Sequence, residues 1–475
     1  MSVSPYRSEK QFDLPHAGVG RPAHRLGVIA TVATFGGLLF GYDTGVVNGA
    51  LEPLSQDFGL TPLSEGLVVA SLMIGAAFGA VFGGRVADAY GRRHTILLLA
   101  GVFIIGTLGC VLAPGAEFLI GARFVLGIAI GGASATVPVY LGEIAPSEKR
   151  GSFVTRNELM IVAGQLAAFI INAVIFNVWG HVDSIWRWML LVALAPAIAL
   201  LVGMIFQPES PRWLISKGRT EEALEVLKQV RSPERAEAEV AEVTHLASED
   251  AKQATGGLSD LGTRWVLRLV IIGAGLGFFQ QLTGINSVMY YGTQLLTNAG
   301  LDSGVAIIGN IANGVFSLLG ISLGMFLLNK LPRRVMFLTG YALIAFFHVL
   351  IALTAVVIPP GPAQAWTVLV FLVLFVFSMQ GTVGPLTWLM LSEIFPMKIR
   401  SFAMGICVFV LWIMNAIVAQ FFPPLIEAMG MTATFSMFAG CAVIAFIFLF
   451  LLLPETKDKD LAQFERDFKA KYGRK

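Results

Sequence analysis

About twelve stretches of this chain are almost free of charge. Each is near the ~20 residues that a helix needs to cross a bilayer. They run over residues 26–48, 66–84, 94–113, 118–140, 158–178, 187–206, 265–296, 304–328, 335–358, 364–391, 401–422 and 432–453. Backbone in lipid must satisfy its own hydrogen bonds, so apolar segments of this length fold as spanning helices. Composition agrees: 56% of residues are apolar and 13% charged, against about 45–50% and 25% in soluble domains. The fold expected is an all-α integral membrane protein of twelve transmembrane helices. Gly284 and several polar residues interrupt the run at 265–296. The polar start leads into a long span without an A-x-A site, so no removable signal peptide is expected.

Charge is concentrated outside these runs. Segments 1–25, 207–264 and 454–475 hold 37 of the 64 charged side chains. Basic residues in the short breaks alternate: Arg85, Arg92 and Arg93, then Lys149, Arg150 and Arg156, then Lys330, Arg333 and Arg334, then Lys398 and Arg400. The intervening breaks carry no Lys or Arg except Arg187. Basic loops stay in the cytoplasm, so that side, both termini and 207–264 are expected there. The expected organisation is a cytoplasmic segment 1–25, a six-helix bundle 26–206, a cytoplasmic linker 207–264, a second bundle 265–453 and a tail 454–475. Within the linker, 220–230 and 232–252 have helical patterns, with Ser232-Pro233 as N-cap and first-turn pair.

The two bundles repeat each other's punctuation. Gly91-Arg92-Arg93 is answered by Pro332-Arg333-Arg334. Glu143-Ile-Ala-Pro-x-x-x-Arg150 is answered by Glu393-Ile-Phe-Pro-x-x-x-Arg400, and Pro208-Glu209-Ser210 by Pro454-Glu455-Thr456. Duplicated bundles of this kind place substrate between their halves, near the midplane.

Six motifs in order carry a resemblance over nearly the whole length. They are Gly84-x-x-x-Asp88-x-x-Gly91-Arg92-Arg93, Arg123-Phe124-x-x-Gly127, Pro208-Glu209-Ser210-Pro211-Arg212-Trp213, Gln280-Gln281-x-x-Gly284-x-Asn286, Gly384-Pro385 with Trp388, and Pro454-Glu455-Thr456-Lys457. The chain resembles the sugar porter family of the major facilitator superfamily. Asn157-Glu158-Leu159-Met160-Ile161 and Gly309-Asn310-Ile311-Ala312-Asn313-Gly314 are most similar to bacterial myo-inositol–proton symporters.

Three ionisable residues stand out inside the runs: Asp43, Arg123 and Glu158. A charge unpaired at a helix centre costs roughly 2.5–3.5 kcal/mol on insertion scales, so each needs a reason. Asp43 and Arg123 fall toward the outer ends of the first and fourth runs, where they can pair. The pair is either a static bridge or a two-state proton switch, because burial disfavours the carboxylate's charge and a guanidinium favours it. The resemblance points to the switch: proton-coupled members carry Asp after Phe40-Gly41-Tyr42, and facilitative glucose carriers carry Asn. At Glu158 the xylose–proton and glucose carriers have Gln that contacts sugar hydroxyls. Glu158 is either such a contact, protonated, or paired with Arg156.

A polyol site needs amides, which both donate and accept, and aromatic walls. Gln280, Gln281 and Asn286 fit this, although a lone amide can equally serve an interhelical bond. The resemblance adds Gln165, Asn313, Trp388, Trp412 and Asn415, with Leu411 where many members have Asn or Gln. Tyr290 and Tyr291 are candidate outer gates, or else interface aromatics. It further implies a cytoplasmic latch between the halves from Asp88, Arg92, Arg93, Glu143, Arg150, Glu209, Arg212, Glu393 and Arg400.

The function expected is proton-coupled import of a polyol or monosaccharide, myo-inositol favoured, by alternating access. An uncoupled facilitator and a non-transporting sugar sensor are the rivals. No catalytic order, metal cluster or phosphate loop is present, so neither an enzyme nor a cofactor other than the coupling proton is expected. The net charge of +2 argues against a nucleic-acid partner. A monomer in a bacterial cytoplasmic membrane is expected.

Overall fold

The computed structural model describes residues 15, 20–250, 261–328, 330–396, 399–457 and 461–472. Lys398, most of segment 1–25, and parts of the linker and tail lie outside the described residues, as does the side chain of Arg150. The described residues form α-helices and one 3-10 turn, Ser147–Lys149.

The first half runs through α1 (Arg21–Phe58), α2 (Pro62–Tyr90), α3 (Arg92–Val111), α4 (Ala116–Ile144), α5 (Arg150–Trp179), α6 (Ile185–Leu191) and α7 (Leu194–Ile205). The linker forms α8 (Pro211–Ser216), α9 (Thr220–Val230) and α10 (Pro233–Asp250). The second half comprises α11 (Arg264–Gln281), α12 (Ile285–Asn298), α13 (Ser303–Leu328), α14 (Arg333–Val357), α15 (Pro362–Gly381), α16 (Val383–Glu393) and α17 (Arg400–Leu452), and α18 (Leu461–Tyr472) follows. Eleven helical segments are long and apolar enough to span, by length and composition. The twelve expected runs map onto them because 401–422 and 432–453 join in α17, which breaks at Gly430, φ 74°.

Several runs are not single rods. The sixth is α6 and α7, the tenth is α15 and α16, and the seventh is α11 and α12 about Gly284, φ 74°. Such breaks are tolerated at membrane depth where protein surrounds them. Helix α1 continues ten residues past the expected end at 48, so Asp43 sits in its middle and not toward its outer end. The tail contains α18: Phe464 and Phe468 are buried, and the Arg268 guanidinium lies 4.0 Å from the Tyr472 ring centre.

Glycine lets helices touch backbone to backbone. A Cβ on Gly41 would lie 1.7 Å from the Ile161 carbonyl oxygen of α5, and one on Gly75 2.1 Å from that of Phe124 in α4. Small residues at crossings are the usual basis of close packing in lipid, where no hydrophobic effect drives association.

The repeat is also structural. Glu209 accepts from the backbone N–H groups of Arg92 (2.8 Å) and Arg93 (2.9 Å) and so caps the start of α3. Glu455 accepts from those of Arg333 and Arg334, both at 3.0 Å, and caps α14. A carboxylate there satisfies orphan donors and meets the positive end of the helix dipole. Ser210 donates to Glu143 and Thr456 to Glu393, both at 2.5 Å. Gly91 has φ 100° and no room for a Cβ beside Glu209, yet Pro332 builds the matching cap at φ −60°.

Linker helices dock on the first half. Arg231 and Arg235 are each 1% exposed. Arg231 donates to the Ile144 carbonyl (2.9 Å), and Arg235 pairs with Glu148 (3.0 Å) and Glu239 (2.6 Å). The Ser232 hydroxyl accepts from the Arg235 N–H (3.4 Å), the expected N-cap of α10.

Candidate functional site

Polar side chains gather on α1, α4 and α5 of one half and on α11, α12 and α17 of the other, and the halves pack through α1 on α12, α2 on α17 and α5 on α13. Asp43 and Arg123 are both 2% exposed. Their nearest oxygen and nitrogen, Asp43 Oδ2 and Arg123 Nη2, are 3.8 Å apart. That is an ion-pair distance and too long for a hydrogen bond. Both atoms lack a hydrogen-bond partner among the described residues. Arg123 Nε donates to the Val68 carbonyl at 2.8 Å, which fixes the guanidinium to α2. At ~20 effective dielectric the attraction across 3.8 Å is about 4 kcal/mol. The carboxylate is thus held to the guanidinium by charge alone.

One residue along, Thr44 accepts from Gln165 Nε2 at 3.1 Å. Helix α5 therefore touches the helix that carries Asp43 at a sugar-site candidate. Glu158 lies seven residues before Gln165, two turns away on the same face. It has no hydrogen-bond or ion-pair partner among the described residues. Arg156 does not approach it, because its guanidinium stacks on the Phe153 ring at 4.6 Å.

Across the interface the three amides form a chain. Asn286 Nδ2 donates to Gln281 Oε1 at 2.6 Å, and Gln281 Nε2 to Gln280 Oε1 at 3.5 Å. These are bonds that sugar hydroxyls can replace one for one. Trp412 is 2% exposed, stands 5.5 Å from the Phe40 ring and has an unpaired indole N–H. Asn415 donates to the Tyr290 hydroxyl at 3.3 Å, and Tyr291 donates to the Ala419 carbonyl at 2.7 Å. Both tyrosines are 1% exposed. Trp388 is half-buried against apolar neighbours and makes no polar contact among the described residues. Leu411 packs 3.1 Å from where a Gly277 Cβ would be.

Asn313 is fully buried and donates to Asn310 at 2.9 Å. Asn310 in turn donates to Thr293 at 3.1 Å, and Asn48 accepts from Thr293 Oγ1 at 2.5 Å. Asn48 also donates to the Met289 carbonyl at 2.7 Å. This chain ties α1 to α12 and closes the side opposite the basic breaks. Glu65 reinforces the closure by accepting from Gln294 (3.3 Å), and Glu52 by accepting from Ser303 (2.9 Å). Asn48 and Thr293 went unnoticed at the sequence level, and Asn310 entered only within the resembling stretch 309–314, with no partner assigned to it. The only signal of the first two was a polar side chain inside an apolar run.

On the basic side the expected latch residues pair within each half. Arg92 bridges Asp88 and Glu143, both at 2.9 Å. Arg333 meets Glu393 at 3.3 Å. Arg93 donates to the Ile205 carbonyl at 2.6 Å, and Arg400 to that of Phe395 at 3.3 Å. Each described ion pair of the set therefore stays inside one half. Arg212 forms none among the described residues.

Comparison with known proteins agrees with this layout. A family profile described as "Sugar (and other) transporter" matches residues 29–468. The major myo-inositol transporter IolT of Bacillus subtilis is 48% identical, over 94% of each chain. The glucose transporter GlcP of Staphylococcus epidermidis is 37% identical, over 94% of this chain and 98% of its own. The inward open conformation of the xylose transporter XylE from E. coli is 29% identical and superposes with TM-score 0.81, over 93% of this chain and 99% of its own. The fold is that of the major facilitator superfamily, and the function is transport across a membrane, not enzymatic catalysis. The chain belongs to the sugar porter family as a multi-pass sugar transporter of bacterial type.

Proposed function

We propose that the chain is a proton-coupled symporter that imports myo-inositol or a related polyol, with its basic side in the cytoplasm. The observation that carries the coupling is the buried Asp43–Arg123 pair at 3.8 Å, one residue from the Thr44–Gln165 contact. A proton on Asp43 removes the attraction to Arg123 and releases α1 from α4. Substrate at Gln165, Gln280, Gln281, Asn286 and Asn415 engages α5, α11, α12 and α17. Both events act on the α1–α12 contact that closes the outer side. One proton crossing about 100 mV supplies ~2.3 kcal/mol, enough for roughly fifty-fold accumulation of a neutral substrate. The identity to a myo-inositol transporter and the carboxylate of Glu158, an acceptor for a pair of hydroxyls, support a polyol over a hexose.

The test is uptake in proteoliposomes. Asp43→Asn should abolish gradient-driven accumulation and keep counterflow exchange. Accumulation that survives the substitution would remove Asp43 from coupling. Myo-inositol should outcompete xylose, glucose and fructose, and failure to compete would refute the substrate assignment.

A further inference from the structure

The three ionisable residues read from the runs leave out His348, which is fully buried in α14. We propose that His348 is a positioning residue for the transport site: it fixes the α11–α12 break, and with it both the amide chain and the seating of α12 on α1. Its Nε2 lies 2.8 Å from the Thr283 carbonyl oxygen. A carbonyl only accepts, so Nε2 carries the hydrogen. In an unbroken helix that carbonyl would take the N–H four residues on. Gly284 at φ 74° ends the ladder, and His348 supplies the donor instead. Its ring is held by Phe375, Phe435 and Phe438, at 4.4, 5.5 and 5.8 Å between centres. Phe438 also sits 3.0 Å from where a Cβ on Gly284 would be.

The break is what makes the amide chain possible. Residues five apart on a straight helix point about 140° from each other. Yet Asn286 reaches Gln281 at 2.6 Å. Beyond the break α12 carries Thr293 and the Met289 carbonyl, which hold Asn48. A change of angle at Thr283 therefore moves the substrate amides and the outer closure together.

This inference rests on the amide chain being the substrate site, so the experiment separates the two. Full-length wild type, His348→Gln, His348→Phe and Gln281→Ala are compared in proteoliposomes for KM and maximal rate, with myo-inositol or the best competitor of the panel. Spin labels at Leu63→Cys and Asn298→Cys, both exposed, report the outer separation of α2 and α12. His348→Phe removes the donor and should raise KM about tenfold, the worth of one buried hydrogen bond. It should also broaden the label distances toward longer values. His348→Gln keeps a donor and should stay within about twofold of wild type. If His348→Phe fails to insert, His348→Leu takes its place. Wild-type KM and distances in the donor-less variant, with Gln281→Ala impaired, would overturn the proposal and leave the site standing. Unchanged KM in both would overturn the two together.

Discussion

Adding one methyl group at Gly41 should disable transport. A Cβ there would lie 1.7 Å from the Ile161 carbonyl oxygen and 2.6 Å from its carbon. The obstacle is backbone, so no rotamer change relieves it. Helix α1 must move about 1.3 Å from α5 merely to reach the 3.0 Å that real Cβ contacts almost never undercut. Overpacking of this kind costs typically 1–3 kcal/mol. The same shift breaks the 3.1 Å Gln165–Thr44 bond. A comparable change in the 3.8 Å Asp43–Arg123 separation removes roughly 1 kcal/mol at ~20 effective dielectric. Together these predict at least a tenfold fall in initial uptake and a lower melting temperature in detergent. Uptake by proteoliposomes and a thermal melt, both normalised to inserted protein, are the assays. Gly101→Ala and Gly405→Ala, where a Cβ meets nothing within 4 Å, should behave as wild type. Wild-type uptake and melting in Gly41→Ala would refute the close α1–α5 crossing.

Two further predictions concern the basic side. Glu209→Ala and Glu455→Ala each strip a helix start of its carboxylate cap, so each should lower stability by about 1–3 kcal/mol. The losses should add in the double variant, because the caps lie in different halves, and thermal melts of the three proteins check this. The Glu148 carboxyl is held below its ordinary range by its backbone N–H and then by Arg235. A depressed value means that its contribution to linker docking is present above the ordinary carboxylate range and is lost as pH falls through the lowered one. Limited proteolysis of the linker should accelerate as pH falls below the ordinary carboxylate range, and much less so in Glu148→Gln.

The architecture was legible because it rests on signals local to each run. Length and apolarity gave the spans, and paired punctuation such as Glu143 with Glu393 gave the halves. The amides Gln280, Gln281 and Asn286 were legible for a similar reason: three in seven residues exceed what lipid-facing helices tolerate without a task. Partners across the interface were not. Asn48 belongs with Thr293 and Asn310 only after the halves dock, and nothing in one helix's periodicity encodes its neighbour. His348 was invisible because its acceptor, the Thr283 carbonyl, is created by a break sixty-five residues upstream. The latch residues were expected to pair between the halves, and a resemblance in sequence does not encode which acid each arginine meets. Arg92 and Arg333 pair with acids of their own half.

The central claim is that sugar and proton move together through this chain. The most direct test is external pH in lightly buffered proteoliposomes, followed as myo-inositol is added with no imposed gradient. Coupled import predicts prompt external alkalinisation that requires substrate, is collapsed by a protonophore and is absent in Asp43→Asn. Substrate entry with no change of external pH in the wild-type protein would contradict the account.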